Sequence, residues 1–548
     1  MKQKIVQAAW GVFFLLFFSS CADFLNVNPD DVLLEDNYPS TITELYSGYM
    51  GIAASVQAVA DKASFLEGLR GDLLEPTMNS TREVVELYQY TETSDNKLAN
   101  PVDYYKIILN ANDYIEHAST FFEENPTSID EPTYTALIGG AIRYKTWAYL
   151  MLAKIYGQAI WIDDPLIEFS DINQFPLYDF NQLILQCIDL IENGIELNGI
   201  AIDGRGEIRW SAELFPGQGE SSSNLQWNRI CPPAECLLAE LYLFAENYPM
   251  VIENALAVIR MGGEEDSYQL NKSEWNGEWV KPLRDFYRKE SIFMFTYDYN
   301  LHQTHHLIDY YSNLAPNKYL MRPSQVAMNR FRQQVRSDGN VGDNYRGDGV
   351  SFKEINGDWV FCKFTRSFET PDKVYRNDVL ITLYKASDIH LWLAEALGQL
   401  GRFQEALAFL NGGIETYFNT STGVFMEPFD SYPASLYRTN NSSEGACQGV
   451  RGRVSLNKVG EQIIKEPMSD VDLDKRSLDL LLIDETCLES AGEARALYTM
   501  MRIAKRWNDP SILANRVSAK YPDALKESIK AKLMDPTNWF IKYSLQEE

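Results

Sequence analysis

Three of the five histidines stand together in the segment His302-Gln-Thr-His-His306, and Asp309 follows shortly after. His302 and His306 are four residues apart, so on a helix both would lie on one face and could bind a metal ion. The glutamate that serves as the base in a His-Glu-x-x-His zinc protease is missing between them. We therefore interpret the segment as a solvated or ligand-contacting loop and predict no cofactor and no metal ligands, with a structural Ca²⁺ left open.

The other familiar catalytic motifs are also missing from the sequence. It contains no Gly-x-Ser-x-Gly, no Walker loop and no dinucleotide fingerprint. Paired carboxylates could hydrolyse a glycosidic bond, but 77 Asp and Glu residues produce pairs by chance throughout the chain. We therefore predict a protein that is not an enzyme, and keep a surface polysaccharide hydrolase as an alternative.

A binding site is the stronger hypothesis, because aromatic and polar residues alternate in two segments. Sugar rings pack their C–H faces on aromatic rings, while their hydroxyls pair with polar side chains. The later segment, 262–380, offers Trp275, Trp279, Tyr297, Tyr299, His302, Tyr310 and Tyr311. The earlier segment, 70–100, offers Asp72, Asn79, Arg82, Tyr88 and Tyr90. Core packing is the alternative role for at least half of the aromatic residues in the later segment.

Charge and composition limit the partners of such a site. The 548 residues carry a formal net charge of −28, and 13% of them are aromatic. So acidic a surface repels nucleic acid and anionic lipid. It suits neutral or cationic solutes, and the aromatic content favours ligands with flat faces or rings.

The N-terminus has the features of an export signal. Lys2 and Lys4 precede an apolar stretch from Ile5 to Phe18, and two serines then lead to Cys21. Such a stretch is typical of a secretory signal and is short for a transmembrane helix. Phe18-Ser19-Ser20-Cys21 resembles a bacterial lipobox, so we predict a signal peptide at 1–20 and lipidation of Cys21, with a plain secretory signal as the alternative. No later stretch has about 18 consecutive apolar residues, so we expect the remainder to be soluble.

The elements that must position the site are helix pairs. In Asp388–Glu415, apolar residues recur at helical spacing on both sides of Gly401, which permits a tight turn. This pattern resembles a tetratricopeptide repeat. We predict a mainly α-helical single domain, 21–548, with little β structure and with long loop-rich insertions on the ligand side. The predicted helices cover about 42–60, 141–158, 233–259, 388–415 and 483–507, and the insertions about 70–100, 262–380 and 416–482; segment 160–230 also has a loop-like composition.

Several blocks, taken in order, resemble the SusD/RagB family of nutrient-binding outer-membrane lipoproteins from Bacteroidetes. They are CADFLNVNP from Cys21, RYKTWAYLMLAKIYGQAIWIDDPL from Arg143, KASDIHLWLAEALGQLGRFQEALAFLN from Lys385 and DETCLESAGEARALYTMMRIAKRWNDPSILANRV from Asp484. Each block alone is a weak pattern, but their order together with the lipobox is specific. The chain departs from the family where Ala159 and Ile160 replace Val-Pro, where Ala494 replaces a glycine and where Thr499 replaces an aspartate.

The resemblance implies a SusD-like fold and a function. The protein would be lipid-anchored in the outer membrane and exposed on the cell surface. It would act as the lid of a SusC-like TonB-dependent transporter and would bind a nutrient polymer, most plausibly a glycan, on the face opposite the helical repeats. A peptide ligand, as in RagB-like members, is the alternative. The departures mean that the starch ligand of other members cannot be assumed.

Overall fold

The computed structural model describes residues 38–164, 174–208, 229–261, 268, 270, 290–364, 379–436 and 448–543. Of the predicted site residues, Cys21, Trp275 and Trp279 lie outside these ranges. The side chain of Tyr299 also lies outside the description, although its backbone forms a short 3-10 helix, Tyr299–Leu301.

Helices provide most of the regular structure in the described ranges. In chain order they are α1 (Ile42–Gln57), α2 (Lys62–Arg70), α3 (Arg82–Gln89), α4 (Val102–Glu124), α5 (Glu131–Tyr156), α6 (Phe180–Glu192), α7 (Ala234–Phe244), α8 (Tyr248–Arg260), α9 (Leu307–Tyr311), α10 (Gln325–Arg332), α11 (Ala386–Gln399), α12 (Phe403–Leu410), α13 (Glu461–Lys465), α14 (Val471–Glu489), α15 (Ala496–Arg506), α16 (Ser511–Ser518) and α17 (Asp523–Leu533). None of these helices is both long enough and apolar enough to cross a membrane.

Consecutive helices pack as pairs, as the tetratricopeptide-like pattern predicts. Helices α4 and α5, α7 and α8, and α11 and α12 each pack against one another, and α8 also packs on α11. Gly401 lies in the turn between α11 and α12 and has a φ of +76°. Glycine adopts this left-handed conformation without the steric cost that a Cβ atom brings, so the predicted role of Gly401 is confirmed.

Some segments with a loop-like composition contain helices. Helix α3 lies within 70–100, and α6 lies within 160–230. Helix α14 begins at Val471, whereas the sequence pattern predicts a single helix over about 483–507. The chain instead breaks after Glu489, where Gly492 and Ala494 have φ values of +74° and +57°, and it resumes as α15. Ala494 therefore keeps the left-handed backbone conformation that suits the glycine it replaces in the family pattern.

The strands are few and short, and within the described ranges they form antiparallel pairs. The pairs are β1 (Leu74–Pro76) with β7 (Met321–Pro323), β2 (Gln158–Ile160) with β3 (Leu177–Asp179), β4 (Ile195–Leu197) with β5 (Ile200–Ile202), β6 (Ser291–Tyr297) with β10 (Val379–Lys385), β8 (Phe352–Ile355) with β9 (Asp358–Phe361), and β11 (Phe418–Asn419) with β12 (Val424–Phe425). The longest pairing joins β6 and β10, and it contains a bulge near Thr382.

One large hydrophobic core joins the helix pairs to the insertions. It is rich in aromatic contacts, such as the stacked rings of Tyr149 and Trp161, whose centroids are 4.1 Å apart. The cysteines of the described ranges are buried and form no disulfide bond there; they are Cys187, Cys231, Cys236, Cys362 and Cys487. Burial of this kind is the usual environment of a structural thiol.

A buried cluster of charged residues fastens the insertions to helix α14. Glu489 of α14 is fully buried and lies 3.0 Å from Arg346, 2.5 Å from Arg453 and 3.2 Å from Lys385. Burial alone would raise the pKa of the Glu489 carboxyl, but attraction to these cations outweighs burial and holds that pKa well below its usual value. The loops that carry Arg346 and Arg453 are thereby tied to the helical part of the molecule.

Candidate functional site

Two of the segments predicted to face the ligand meet along a short β ladder. Strand β1 belongs to the insertion 70–100 and β7 to the insertion 262–380, and Glu75 stands opposite Arg322 in their register. The two side chains form an ion pair with 2.8 Å between Nε of Arg322 and Oε1 of Glu75. The ladder brings residues from distant parts of the sequence onto one surface. We call this surface the seam and define it by Asn79, Arg82, His306, Asp309, Lys318, Arg322 and Trp359.

The loop after β1 is fixed against the segment that precedes β7. The Thr77 amide donates to the Leu320 carbonyl at 3.1 Å, and the Ser80 hydroxyl donates to the same carbonyl at 2.5 Å. The Asn79 side-chain amide donates to the Lys318 carbonyl at 3.0 Å. These bonds hold the exposed Asn79 beside Lys318, so its amide oxygen is presented from a fixed loop.

The imidazole of His306 is oriented by a buried carboxylate. Asp61 is 2% exposed, and its Oδ2 accepts the His306 backbone N–H at 2.6 Å and lies 2.9 Å from His306 Nδ1. The hydrogen bond to Asp61 raises the pKa of His306 above its usual value. The His306 side chain is 55% exposed, and its Nε2 makes no hydrogen bond within the described residues. Nε2 is therefore available to a ligand.

Aromatic rings support the imidazole from below. The His306 ring stacks on Tyr310 with 5.1 Å between centroids, and Tyr310 meets Phe65 edge to face at 5.4 Å. Both supporting rings are buried, and burial raises the pKa of the Tyr310 hydroxyl to about 12. Packing of this kind restricts the His306 ring to one orientation.

The cationic side chains of the seam are each paired with a carboxylate. Lys318 and Asp309 are 2.6 Å apart at their charged atoms, and Arg82 lies 2.8 Å from Asp95. Lys318 and Arg82 are 63% and 58% exposed, and ion pairs this exposed contribute little to stability. The seam thus offers many hydrogen-bonding groups with little excess of either charge.

An aromatic ring lies at the other end of the seam. Trp359 of β9 is half-buried, and the Arg332 guanidinium stacks 4.6 Å from its ring centre. Arg332 is itself held by two hydrogen bonds to Asp348, at 2.8 and 3.2 Å. The Trp359 carbonyl accepts a bond from the Tyr319 hydroxyl at 2.7 Å, which links β9 to the chain entering β7.

The structure brings some of the predicted site residues to the seam. Asn79 and Arg82 are exposed there, and Tyr310 lies directly beneath His306. His302 is exposed in a turn with a φ of +55°, and α9 begins only at Leu307. His302 and His306 therefore do not share a helix face, which is the arrangement that their spacing of four residues suggested. No cluster of three or more metal-ligating side chains occurs in the described part of the chain.

Five further predicted site residues are buried, as Tyr310 is, and they pack within the protein away from His306. They are Asp72, Tyr88, Tyr90, Tyr297 and Tyr311, each between 1% and 8% exposed. Tyr88 packs with its ring centroid 4.4 Å from that of Tyr521, and Asp72 is paired with Arg330. At this depth the five side chains contact other parts of the protein and are not presented on the exposed surface.

Sequence reasoning left several seam residues out of the candidate list. Lys318, Arg322 and Trp359 belong to no recognisable motif, and Arg322 takes its place through the β1–β7 ladder. Asp61, which orients His306 from outside the seam, also belongs to no motif. The sequence did contain a signal for His306, because this residue lies in the histidine segment and precedes Asp309. Its partner Asp61 is 245 residues away in sequence, so only the folded chain reveals the pair.

Comparisons with known proteins agree with this architecture. No protein-family model and no curated protein matches the sequence. The structure is similar to that of a SusD superfamily protein from Bacteroides vulgatus, with a TM-score of 0.61, 14% identity and coverage of 91% of this chain and 95% of that chain. The chain has a SusD-like fold. The resemblance noted in the sequence is thereby confirmed at the level of the fold.

Two further SusD-like neighbours carry names that state a ligand. Surface glycan-binding protein A from Bacteroides uniformis is 14% identical, with a TM-score of 0.54 and coverage of 87% of this chain and 91% of that chain. A laminarin binding SusD-like protein is 15% identical, with a TM-score of 0.55 and coverage of 91% of this chain and 98% of that chain. In the SusD-like chain described here, insertions rather than the paired helices build the seam.

Proposed function

We propose that this protein binds a glycan of a nutrient polymer at the seam. The observation that carries the proposal is the convergence of two distant insertions into one surface of fixed hydrogen-bonding groups. His306 Nε2, the Asn79 amide oxygen and the Lys318 ammonium can pair with sugar hydroxyls. The half-exposed ring of Trp359 can pack on a C–H face of a sugar ring.

The balance of charges on the seam favours a neutral ligand. The cations of the seam each face a carboxylate, as at Lys318 and Asp309, so an anionic polymer gains little attraction there. The chain as a whole carries a net charge of −28, which repels anionic polymers further. The two neighbours named for glycan or laminarin binding support the same class of ligand.

The protein would work on the cell surface as the lid of a SusC-like TonB-dependent transporter. The SusD-like fold and the lipobox-like segment that ends at Cys21 support this role. Cys21→Ala should release the protein from outer membranes, and unchanged membrane retention would contradict the anchor. The wild-type protein should co-purify with a large β-barrel in mild detergent, and its isolation alone would contradict the lid.

A peptide ligand is the second candidate, because the acidic charge would attract basic peptides. Isothermal calorimetry separates the two candidates. The soluble form lacking residues 1–21 is titrated with neutral glucans including laminarin, with acidic polysaccharides, and with basic and acidic peptides. We expect micromolar to millimolar binding to one class of neutral glycan. Binding of basic peptides together with no detectable binding of any glycan would overturn the proposal.

A hydrolase would degrade the polymer that it binds. The same polysaccharides and peptides, incubated with the purified protein, should be recovered at their original chain length. Release of shorter products would contradict a role limited to binding.

A further inference from the structure

A cavity lies away from the seam, where the C-terminal segment crosses the ends of several helices. It has a volume of about 370 Å³ and is bounded by the start of α6, the end of α7, helix α15 and residues 536–540. A second cavity of about 690 Å³ adjoins it, and Gly157, Pro536 and Phe540 line both. We call the smaller one the aromatic cavity. Its volume lies within the usual range for a small-molecule site.

Aromatic rings form the walls of the aromatic cavity. Phe180 and Phe244 meet edge to face with 5.4 Å between centroids, and Phe540 lies 6.0 Å from Phe180. Trp539, Tyr498 and Met501 complete the apolar part of the lining, and charged and amide side chains contribute the remainder. Arg502 and Lys505 each lie 5.1 Å from a ring centre, over Phe244 and Phe180 respectively, so these rings offer a ligand their other faces and their edges. Such surfaces suit another aromatic ring.

The walls are held in place by contacts behind them. The Arg70 guanidinium donates to the carbonyls of Asn538, Trp539 and Phe540 at 3.0, 3.3 and 3.2 Å. The Ile541 amide donates to the Ile155 carbonyl at 2.8 Å. The C-terminal segment is therefore fastened to α5, and the cavity is formed before a ligand arrives.

The buried cations beside the cavity already have partners. Lys154 is 2.7 Å from Glu240, and Arg502 is 2.7 Å from Glu395. Their charges are neutralised within the protein, so they do not create an anion site. The exposed Lys505 donates to the Asn181 side-chain oxygen at 2.7 Å.

One polar group in the cavity wall makes no hydrogen bond within the described part of the chain. Tyr498 as a whole is 4% exposed and lines the cavity, and its hydroxyl has no hydrogen-bond partner among the described residues. The hydroxyl oxygen is not fully buried, so solvent can reach it through the cavity. A ligand that placed one donor or acceptor beside this hydroxyl would replace solvent there with a hydrogen bond inside an apolar cavity.

From these observations we propose that the aromatic cavity is a second binding site, for a small neutral molecule of one or two aromatic rings that carries one hydrogen-bonding group. A sugar fits this cavity poorly. Each of its hydroxyls would need a partner, and the aromatic walls supply few, so several would be buried without hydrogen bonds. The site is thus distinct from the seam both in place and in chemistry, and it does not depend on the function proposed for the seam.

The test uses the soluble chain lacking residues 1–21 with p-cresol, indole and toluene as probes. Saturation-transfer NMR and calorimetry should detect p-cresol and indole, and p-cresol should bind more tightly than toluene. Tyr498→Phe should weaken p-cresol by about five- to tenfold, the value of one hydrogen bond, and leave toluene unchanged. Tyr114→Phe is the matched control, because Tyr114 is also 4% exposed with an unpartnered hydroxyl but lines neither cavity.

A second variant tests the proposal even if Tyr498→Phe unfolds the protein. Asn181 is an exposed residue of the cavity lining, so Asn181→Trp should block the cavity without altering the core and should reduce binding of all three probes. The proposal is overturned if p-cresol and indole give no saturation transfer at millimolar concentration. It is also overturned if both variants bind p-cresol like the wild type, or if methyl glucoside competes with p-cresol for the cavity.

Discussion

Among single residues of the seam, His306 is the one whose charge depends most on its neighbours. The hydrogen bond that His306 Nδ1 donates to Asp61 favours the imidazolium, so the folded-state pKa of His306 lies above the unfolded value. The stability that this bond contributes is fully present below about pH 6.5. It is lost as the pH rises through the higher folded pKa. A ligand that accepts a hydrogen bond from Nε2 should therefore bind more tightly on the acidic side of that pKa.

NMR titration of His306 tests this account of the imidazole. In the wild type the midpoint should lie above 6.5, the ordinary value for histidine. Asp61→Asn should lower it, because the neutral amide no longer stabilises the imidazolium. Asp95→Asn serves as the control, since Asp95 is exposed and pairs with Arg82 rather than His306. An unchanged midpoint in Asp61→Asn would mean that Asp61 does not set the charge of His306.

The substitution Arg346→Met tests how much the buried charged cluster contributes to the free energy of unfolding. The Arg346 guanidinium is fully buried, 2.7 Å from Glu485 and 3.0 Å from Glu489. Arg346→Met would leave these carboxylates without one of their cations, and removal of one partner from a buried ionic group costs about 3–5 kcal/mol. The free energy of unfolding in urea measures the loss.

A surface ion pair provides the control for Arg346. Lys465 is 70% exposed and lies 2.7 Å from Glu461, so Lys465→Met should change the free energy of unfolding by less than about 1 kcal/mol. A comparably small loss for Arg346→Met would show that the buried cluster is not what fastens the insertions to α14.

At the scale of elements, substitutions at Gly401 and Gly194 distinguish the cost of backbone strain from the cost of a steric clash. Both glycines have positive φ, at +76° for Gly401 and +64° for Gly194. A Cβ at Gly401 would meet nothing within 4 Å, whereas at Gly194 it would lie 1.8 Å from the Ile202 carbonyl oxygen. Gly401→Ala should therefore cost only the left-handed strain, about 1–2 kcal/mol.

Gly194→Ala should cost clearly more than Gly401→Ala, because a backbone carbonyl cannot move aside without disturbing the β4–β5 hairpin. Thermal unfolding of the two variants checks the order. Equal losses of thermal stability in the two variants would contradict the geometry of the hairpin. An unchanged thermal stability in Gly401→Ala would contradict the left-handed turn between α11 and α12.

The paired helices were predictable from sequence because their signal is local. Apolar spacing and Gly401 are enough to indicate the pair α11–α12. The start of α14 was missed because its first two turns are polar, with Asp472 and Asp474 in the first turn. The strands β1 and β7 escaped notice because each has three residues and ends in proline, which is unfavourable in a strand interior.

At the scale of the whole molecule, the site was only partly predictable. The sequence indicated the two insertions that form the seam, and Asn79 and Arg82 within them. It could not distinguish aromatic residues that pack, such as Tyr88 and Tyr297, from those that face solvent, because both occur in the same polar context. That distinction depends on contacts between residues far apart in sequence, such as Tyr88 with Tyr521.

Different parts of the protein stabilise the fold and present the proposed binding surface. The helix pairs and the buried charged cluster form the packed body of the protein, and the insertions held to it present the seam. Exposed seam residues add little to stability, so they can be changed without unfolding the protein. Variants at the seam therefore report on binding, and variants in the cluster report on folding.

The most direct test of the central claim is the affinity of seam variants for the glycan that the calorimetric panel identifies. Asn79→Ala, His306→Ala and Lys318→Ala should each weaken binding by about tenfold, the value of one hydrogen bond of about 1.4 kcal/mol. Lys465→Ala is the control, because Lys465 matches Lys318 in exposure and in its ion pair, at 70% against 63% exposed and 2.7 against 2.6 Å. The account predicts loss of affinity at the seam and wild-type affinity in the control. Wild-type affinity in all three seam variants would contradict it and would locate the glycan elsewhere on the protein.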